Sequence, residues 1–298
     1  MSPPIPYFGE ILALVCAFVW SLAIILFKKS GEVVHPLALN LFKNVLAIVL
    51  LVPTLWLFGI SWPREIPASD YGIILLSGML GIGIADTLFF MVINRLGAGL
   101  YAIIDCLYSP AVITLAVLGL GERMSGWQLF GTLLIVSAVF IATFEKPQGE
   151  VASKNLRGGI FYGVLAVLLV AVGIVIVKPV LERLPLLWVT ELRLMGGSVV
   201  LLIVLVFHSG RKAVLQSLLS SHHRAYTFFG SFLGAYVSMI LWLGGMKYTQ
   251  ASIAAALNQT SNVLIFLLAA LLLREPITLK RSFGILLGVG GAYLVTFA

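Results

Sequence analysis

The sequence predicts an all-α membrane protein of ten transmembrane helices arranged as two inverted five-helix repeats. Three observations carry that expectation. Hydrophobic residues make up 60% of the 298 and charged residues only 10%, against roughly 45–50% and about 25% in soluble domains. With a mean hydropathy of +1.09, most of the surface must face lipid. The apolar residues fall into long continuous runs. Rare polar and glycine positions then recur between the first and second halves at a nearly constant spacing.

The runs lie at 7–28, 36–58, 70–93, 97–120 and 126–144, and resume after a polar stretch, 145–157, at 158–180, 186–207, 225–245, 250–273 and 279–297. Each is close to the about 20 residues that a helix needs to cross a bilayer. Hydrocarbon offers backbone groups no water, so continuous runs of this length are helices. The alternating pattern of a membrane β-barrel is absent. The first run has no basic residue before it and Lys28 and Lys29 after it, so it reads as a span rather than a cleaved signal peptide. Cys16 and Cys106 fall inside apolar runs and suggest neither a disulfide framework nor a metal site.

Adding 150 to Gly9, Lys28, Glu32 and Lys43 gives Gly159, Lys178, Glu182 and Arg193. Adding 153 to Ser77, Gly81, Ala85, Glu122 and Gly131 gives Gly230, Gly234, Ser238, Glu275 and Gly284. Five helices per copy is an odd number, so the second copy enters the membrane upside down. Inverted repeats are common in secondary transporters, with the substrate site near the midplane between the halves. Small residues four apart (Ser77, Gly81, Ala85; Gly230, Gly234, Ser238; Gly284, Gly288, Ala292) mark close helix contacts, either static or moving.

Gly-Glu-Arg-Met at 121–124 and Leu-Arg-Glu-Pro-Ile at 273–277 each follow a helix of small residues and precede a glycine-containing final helix. With these motifs at fixed offset the chain resembles the ten-helix EamA-like branch of the drug/metabolite transporter superfamily. The resemblance covers both copies: 1–145 as a first EamA-like five-helix repeat, 146–157 as a polar linker and 158–298 as a second. It implies no cofactor or prosthetic group and transport of small organic solutes, from amino acids and sugars to vitamins and drugs.

Ionisable residues inside a membrane cost about 2.5–3.5 kcal/mol each at a helix centre, so they should face a cavity or a partner. Lys43 and Arg193 hold equivalent places in the second and seventh helices, with Glu191 two residues before Arg193. In the fourth helix Tyr101, Asp105 and Tyr108 fall at i, i+4 and i+7, on one face. Position 105 maps by the 153 offset onto Asn258, beside Gln259, Ser261 and Asn262 in the ninth helix. Asn40 joins them from the second. These ten residues, Asn40, Lys43, Tyr101, Asp105, Tyr108, Glu191, Arg193, Asn258, Gln259 and Asn262, are the candidate substrate-binding set, and Trp20, Tyr236 and Trp242 are candidate aromatic walls. Competing roles stand beside each: Lys43 and Arg193 snorkelling to an interface, Asp105 bridging to either cation, the asparagines gluing helices, Asp86 reaching water, and Glu122 and Glu275 serving structure at helix ends.

A cavity with both signs of charge suits a zwitterion such as an amino acid. The expected function is therefore a secondary transporter, in the sense of an exporter, of small polar metabolites by alternating access in the cell (inner) membrane. Protons are the candidate coupling ion, through Asp105, and the chain is expected to act as a monomer or weak homo-oligomer. The alternatives are an exporter of lipophilic cations or drugs, or a scaffold that transports nothing. An enzyme is disfavoured, because the four histidines lie in loops or at helix ends and no metalloprotease, hydrolase or phosphate-loop pattern is present. No filter-like segment suggests a channel. Lys and Arg number twelve in the loops on one side and five on the other. That count places both termini outside, whereas the resemblance places them in the cytoplasm.

Overall fold

A computed structural model describes residues 6–60, 66–120, 125–143, 153–219 and 223–297, and every regular element among them is helical. In chain order the long helices are α1 (Phe8–Ser30), α2 (Pro36–Leu57), α3 (Ala68–Leu96), α4 (Ala98–Gly119), α5 (Gly126–Thr143), α6 (Ser153–Arg183), α7 (Leu186–Phe207), α8 (Arg224–Tyr248), α9 (Ile253–Leu272) and α10 (Leu279–Phe297). Among the described residues, α1 to α4 and α6 to α9 are each long and apolar enough to cross a membrane. Side chains such as Trp56, Phe207, Leu118 and Leu286 stand 70–84% exposed, which a lipid solvent explains and water does not. The motif 121–124 lies outside the described residues, as does 144–152. α6 begins at Ser153, inside the stretch read from the sequence as linker.

Local chemistry sets the helix ends. His35 caps α2 by accepting from the Leu37 amide, with Pro36 at the first helical position. α2 closes where Gly59 takes φ 62°, a conformation open to glycine. α4 bends at Cys106–Leu107 because Pro110 has no N–H for the Cys106 carbonyl and its ring crowds that turn. α9 breaks at the equivalent place without a proline. There the hydroxyls of Thr260 and Ser261 bond the carbonyls of Leu257 and Asn258, both at 2.7 Å, and compete with the helix ladder.

The boundaries themselves repeat. Adding 150 to 36 and 57 gives 186 and 207, the limits of α7. Adding 153 to Ala98–Asp105, the first segment of α4, gives Ala251–Asn258, the helical segment that leads into α9. Both α3 and α8 carry a π-helical stretch, Met79–Ala85 and Phe232–Val237, with matching starts (79 + 153 = 232). Packing follows the same rule. α1 lies on α8 as α6 lies on α3, while α2–α7, α4–α9 and α5–α10 each pair a helix with its own counterpart.

The recurring sequence positions now have physical roles. Lys28 caps the end of α3 through the Asn94 carbonyl at 3.4 Å, and Lys178 caps the end of α8 through those of Met246 and Thr249 at 2.7 and 3.2 Å. These are cations at helix C-termini, where the dipole favours them. Gly9 and Gly159 allow the starts of α1 and α6 to approach Thr249 and Leu96, where an added Cβ would come within 2.8 and 2.7 Å. α1 and α8 run antiparallel: Ser30 meets Thr227 at 2.6 Å at one end, and Glu10 accepts from Thr249 at 2.8 Å at the other.

Candidate functional site

α1, α2, α3, α4, α6, α7, α8 and α9 surround a central cavity of about 980 Å³, its opening included. Seven of the ten candidate residues line it: Lys43, Tyr101, Asp105, Tyr108, Arg193, Asn258 and Gln259. Asn40, Glu191 and Asn262 do not. The Asn40 amide instead donates to the Ile82 and Gly83 carbonyls and to Thr87, stitching α2 to the π-helical stretch of α3. Asn262 donates to Gln259 at the break of α9. Glu191 lies on the face of α7 that carries Leu187 and Leu194 (i−4 and i+3), and these pack with Ala47 and Leu51 of α2 in a second apolar cluster.

The lining is itself a set of related pairs. At the 150 offset Cys16 faces the cavity as Ala166 does, Trp20 as Val170, and Lys43 as Arg193. At the 153 offset the pairs are Gly81 with Gly234, Ala85 with Ser238, Asp86 with Met239, Phe89 with Trp242, Asp105 with Asn258 and Tyr108 with Ser261. Equivalent positions of the two halves therefore line one and the same cavity.

Charge in the cavity is organised around three groups. Lys43 Nζ lies 2.8 Å from Asp86 Oδ2 and donates to Asn44 Oδ1 at 2.9 Å. Neither cation snorkels: Lys43 is 3% and Arg193 1% exposed. Asp105 pairs with neither cation. It accepts from the Tyr101 hydroxyl at 2.9 Å, and its carbonyl accepts from Gln259 Nε2 at 3.3 Å. Arg193 sits with its guanidinium carbon 5.3 Å from the centre of the Trp242 ring, whose Nε1 donates to the Tyr108 hydroxyl at 3.2 Å. Its Nε and Nη1 have no hydrogen-bond partner.

Glycine lets α7 bring Arg193 this close. A Cβ on Gly78 would come within 2.0 Å of the Arg193 carbonyl oxygen, and one on Gly197 within 2.8 Å of Ile82. Gly81, part of the small-residue stripe, faces the cavity, and the tight contact falls one turn away on Gly78. Glu275 performs the structural work expected of a helix-end residue at a distance. Its carboxylate accepts from the amides of Ala98 and Gly99 at 2.8 and 3.0 Å, capping the start of α4. Gly97, at φ 88°, is needed there twice, since a Cβ would also meet Glu275 at 2.7 Å.

Sequence reasoning missed Asp86 as the partner of Lys43, and Phe89 and Ser238 as wall residues. The repeat offset held the signal, because 89 + 153 reaches Trp242 and 85 + 153 reaches Ser238.

Comparison with known proteins decides the family. The EamA-like transporter family matches twice, over residues 7–144 and again over 157–297. The chain belongs to the EamA-like transporter family. It is 32% identical over 153 residues to the uncharacterized transporter YetK of Bacillus subtilis (strain 168), an alignment spanning 51% of this chain and 45% of that protein. It is 23% identical over 278 residues to an uncharacterized transporter of Archaeoglobus fulgidus, covering 92% and 93% of the two chains. A solved crystal structure superposes with a TM-score of 0.69 at 17% identity, over 97% of this chain and 95% of the other. That likeness shows the fold alone. Family and helices together make this EamA-like protein a multi-pass membrane transporter.

Proposed function

We propose that this EamA-like protein is a secondary transporter whose ten helices form two inverted five-helix repeats and alternate access to the central cavity. In this reading it exports small polar metabolites such as amino acids across the cell (inner) membrane. The pairing of lining residues across the two halves carries the proposal, because inverted repeats place the substrate at their shared axis. A zwitterion finds complementary charge there. Its carboxylate is drawn to the Arg193 side and its ammonium to Asp105, while Tyr101, Tyr108, Asn258 and Gln259 supply hydrogen bonds. Each chain holds both halves of the cavity, so a monomer suffices. Asp105 is the residue through which coupling to protons would run.

Counterflow in proteoliposomes preloaded with unlabelled amino acids tests this reading. The expected result is saturable, transient accumulation of at least one labelled amino acid. Counterflow with a lipophilic cation and with no amino acid would replace the reading by a cation exporter. Transport independent of pH, and unaltered in Asp105→Asn, would remove proton coupling.

A further inference from the structure

The two halves of the cavity differ in how they treat their cation. In the first half Lys43 has two acceptors, Asp86 Oδ2 at 2.8 Å and Asn44 Oδ1 at 2.9 Å. The equivalents of these two acceptors in the second half are Met239 (86 + 153) and Leu194 (44 + 150), while the cation persists as Arg193 (43 + 150). The repeat has kept the charge and lost both of its partners. Arg193 is 1% exposed, and its Nε and Nη1 are unpaired. Two further lining groups nearby in the fold, the Asn258 amide and Ser238 Oγ, also lack partners. Removing a charge from water without an acceptor is costly, and a planar guanidinium with open edges matches a carboxylate in a two-pronged bond. The group lies over the Trp242 ring at 5.3 Å, and that contact supplies no acceptor oxygen to Nε or Nη1.

We propose that Arg193 is the obligatory anion subsite of this cavity. The carboxylate of the solute takes the place beside it that Asp86 holds beside Lys43, and a flat apolar body lies along Trp20, Phe89 and Trp242. The proposal rests on the transport reading above and narrows its substrate class to organic carboxylates. It makes the amino group dispensable, because Asp105 already accepts from Tyr101 whereas Arg193 Nε and Nη1 have no acceptor.

Three probes that share a phenyl ring separate the groups: L-phenylalanine, 3-phenylpropanoate and 2-phenylethylamine. Binding to the purified full chain is followed by tryptophan fluorescence, to which Trp20 and Trp242 in the cavity wall contribute. The two acids are expected to bind and the amine is not. Met239→Asp rebuilds in the second half the pair seen in the first. It should weaken both acids by about ten- to a hundredfold, the size of a charge-assisted hydrogen bond, and raise the melting temperature of the ligand-free protein. Arg193→Gln removes an unpartnered buried charge, so it is expected to fold and to lose the acids likewise. Binding of the amine as tight as that of the acids, binding of none of the three, or acid binding unchanged in both variants would each overturn the proposal. Amino-acid counterflow is scored independently, so failure of this subsite and failure of the transport reading give different results.

Discussion

Replacing Glu275 with Ala removes the cap of α4, the helix that carries Tyr101, Asp105 and Tyr108. The carboxylate accepts from two first-turn amides, at 2.8 and 3.0 Å, across 177 and 176 residues of sequence. It is 14% exposed and lies 3.6 Å from Arg281 Nη1. Loss of a neutral cap costs about 0.5–2 kcal/mol, and a hydrogen bond to a charged acceptor contributes about 1.5–3 kcal/mol. Because one carboxylate serves both amides, the two contributions do not simply add, and a loss of about 2–4 kcal/mol is expected. At ~2–4 °C per kcal/mol for chains of this order of size, the apparent melting temperature in detergent falls by about 4–16 °C. Glu275→Gln keeps an acceptor without the charge and loses about half as much. Hydrogen exchange localises the effect: the amides of residues 98–101 lose protection first. An unchanged melting temperature together with unchanged exchange at these amides in Glu275→Ala would refute the capping argument.

Two further perturbations follow from the geometry. Gly78→Ala sets a Cβ 2.0 Å from the Arg193 carbonyl oxygen, so the α3 and α7 backbones must part. A stability loss of about 1–3 kcal/mol and weaker ligand binding are expected by thermal shift, and wild-type values for both would contradict the close-approach account. His35 lies between α1 and α2, and burial, reinforced by the charge of His208, holds its pKa below the ordinary 6.5. The unfolded chain therefore binds the proton more readily, and stability is lost as pH falls below about 6.5. His35→Asn keeps a cap acceptor for Leu37 without titrating, so its melting temperature should fall less between neutral pH and pH ~5 than that of the wild type.

Helices and repeat were legible because lipid demands long apolar runs and because Lys, Glu and Gly stand out against leucine. The offset identified Lys43 with Arg193 and Asp105 with Asn258, and all four line the cavity. What stayed hidden depends on contacts between helices. Asp86 stands near the point where a span could reach water, and nothing along α3 shows that Lys43 is 2.8 Å away. Asn40 and Asp105 look alike in sequence, as polar groups in apolar runs, yet one turns to the backbone of α3 and the other to the cavity. Glu275 sits next to Arg274, and its partners are the amides of a helix in the other half. The helix bounds moved by a few residues, as with α3, which extends to Ala68 and Leu96, because capping rather than hydropathy ends a helix.

The account depends on each half crossing the membrane an odd number of times, with α5 and α10 completing the spans. Sided labelling measures this directly. In a protein whose Cys16 and Cys106 are replaced by Ala, single cysteines are introduced as Ser2→Cys or Gln148→Cys. Intact right-side-out and inverted vesicles are then treated with an impermeant thiol reagent. Inverted five-helix repeats predict that the two positions label from opposite faces. Labelling of both from the same face would mean an even number of crossings in the first half and would contradict the account.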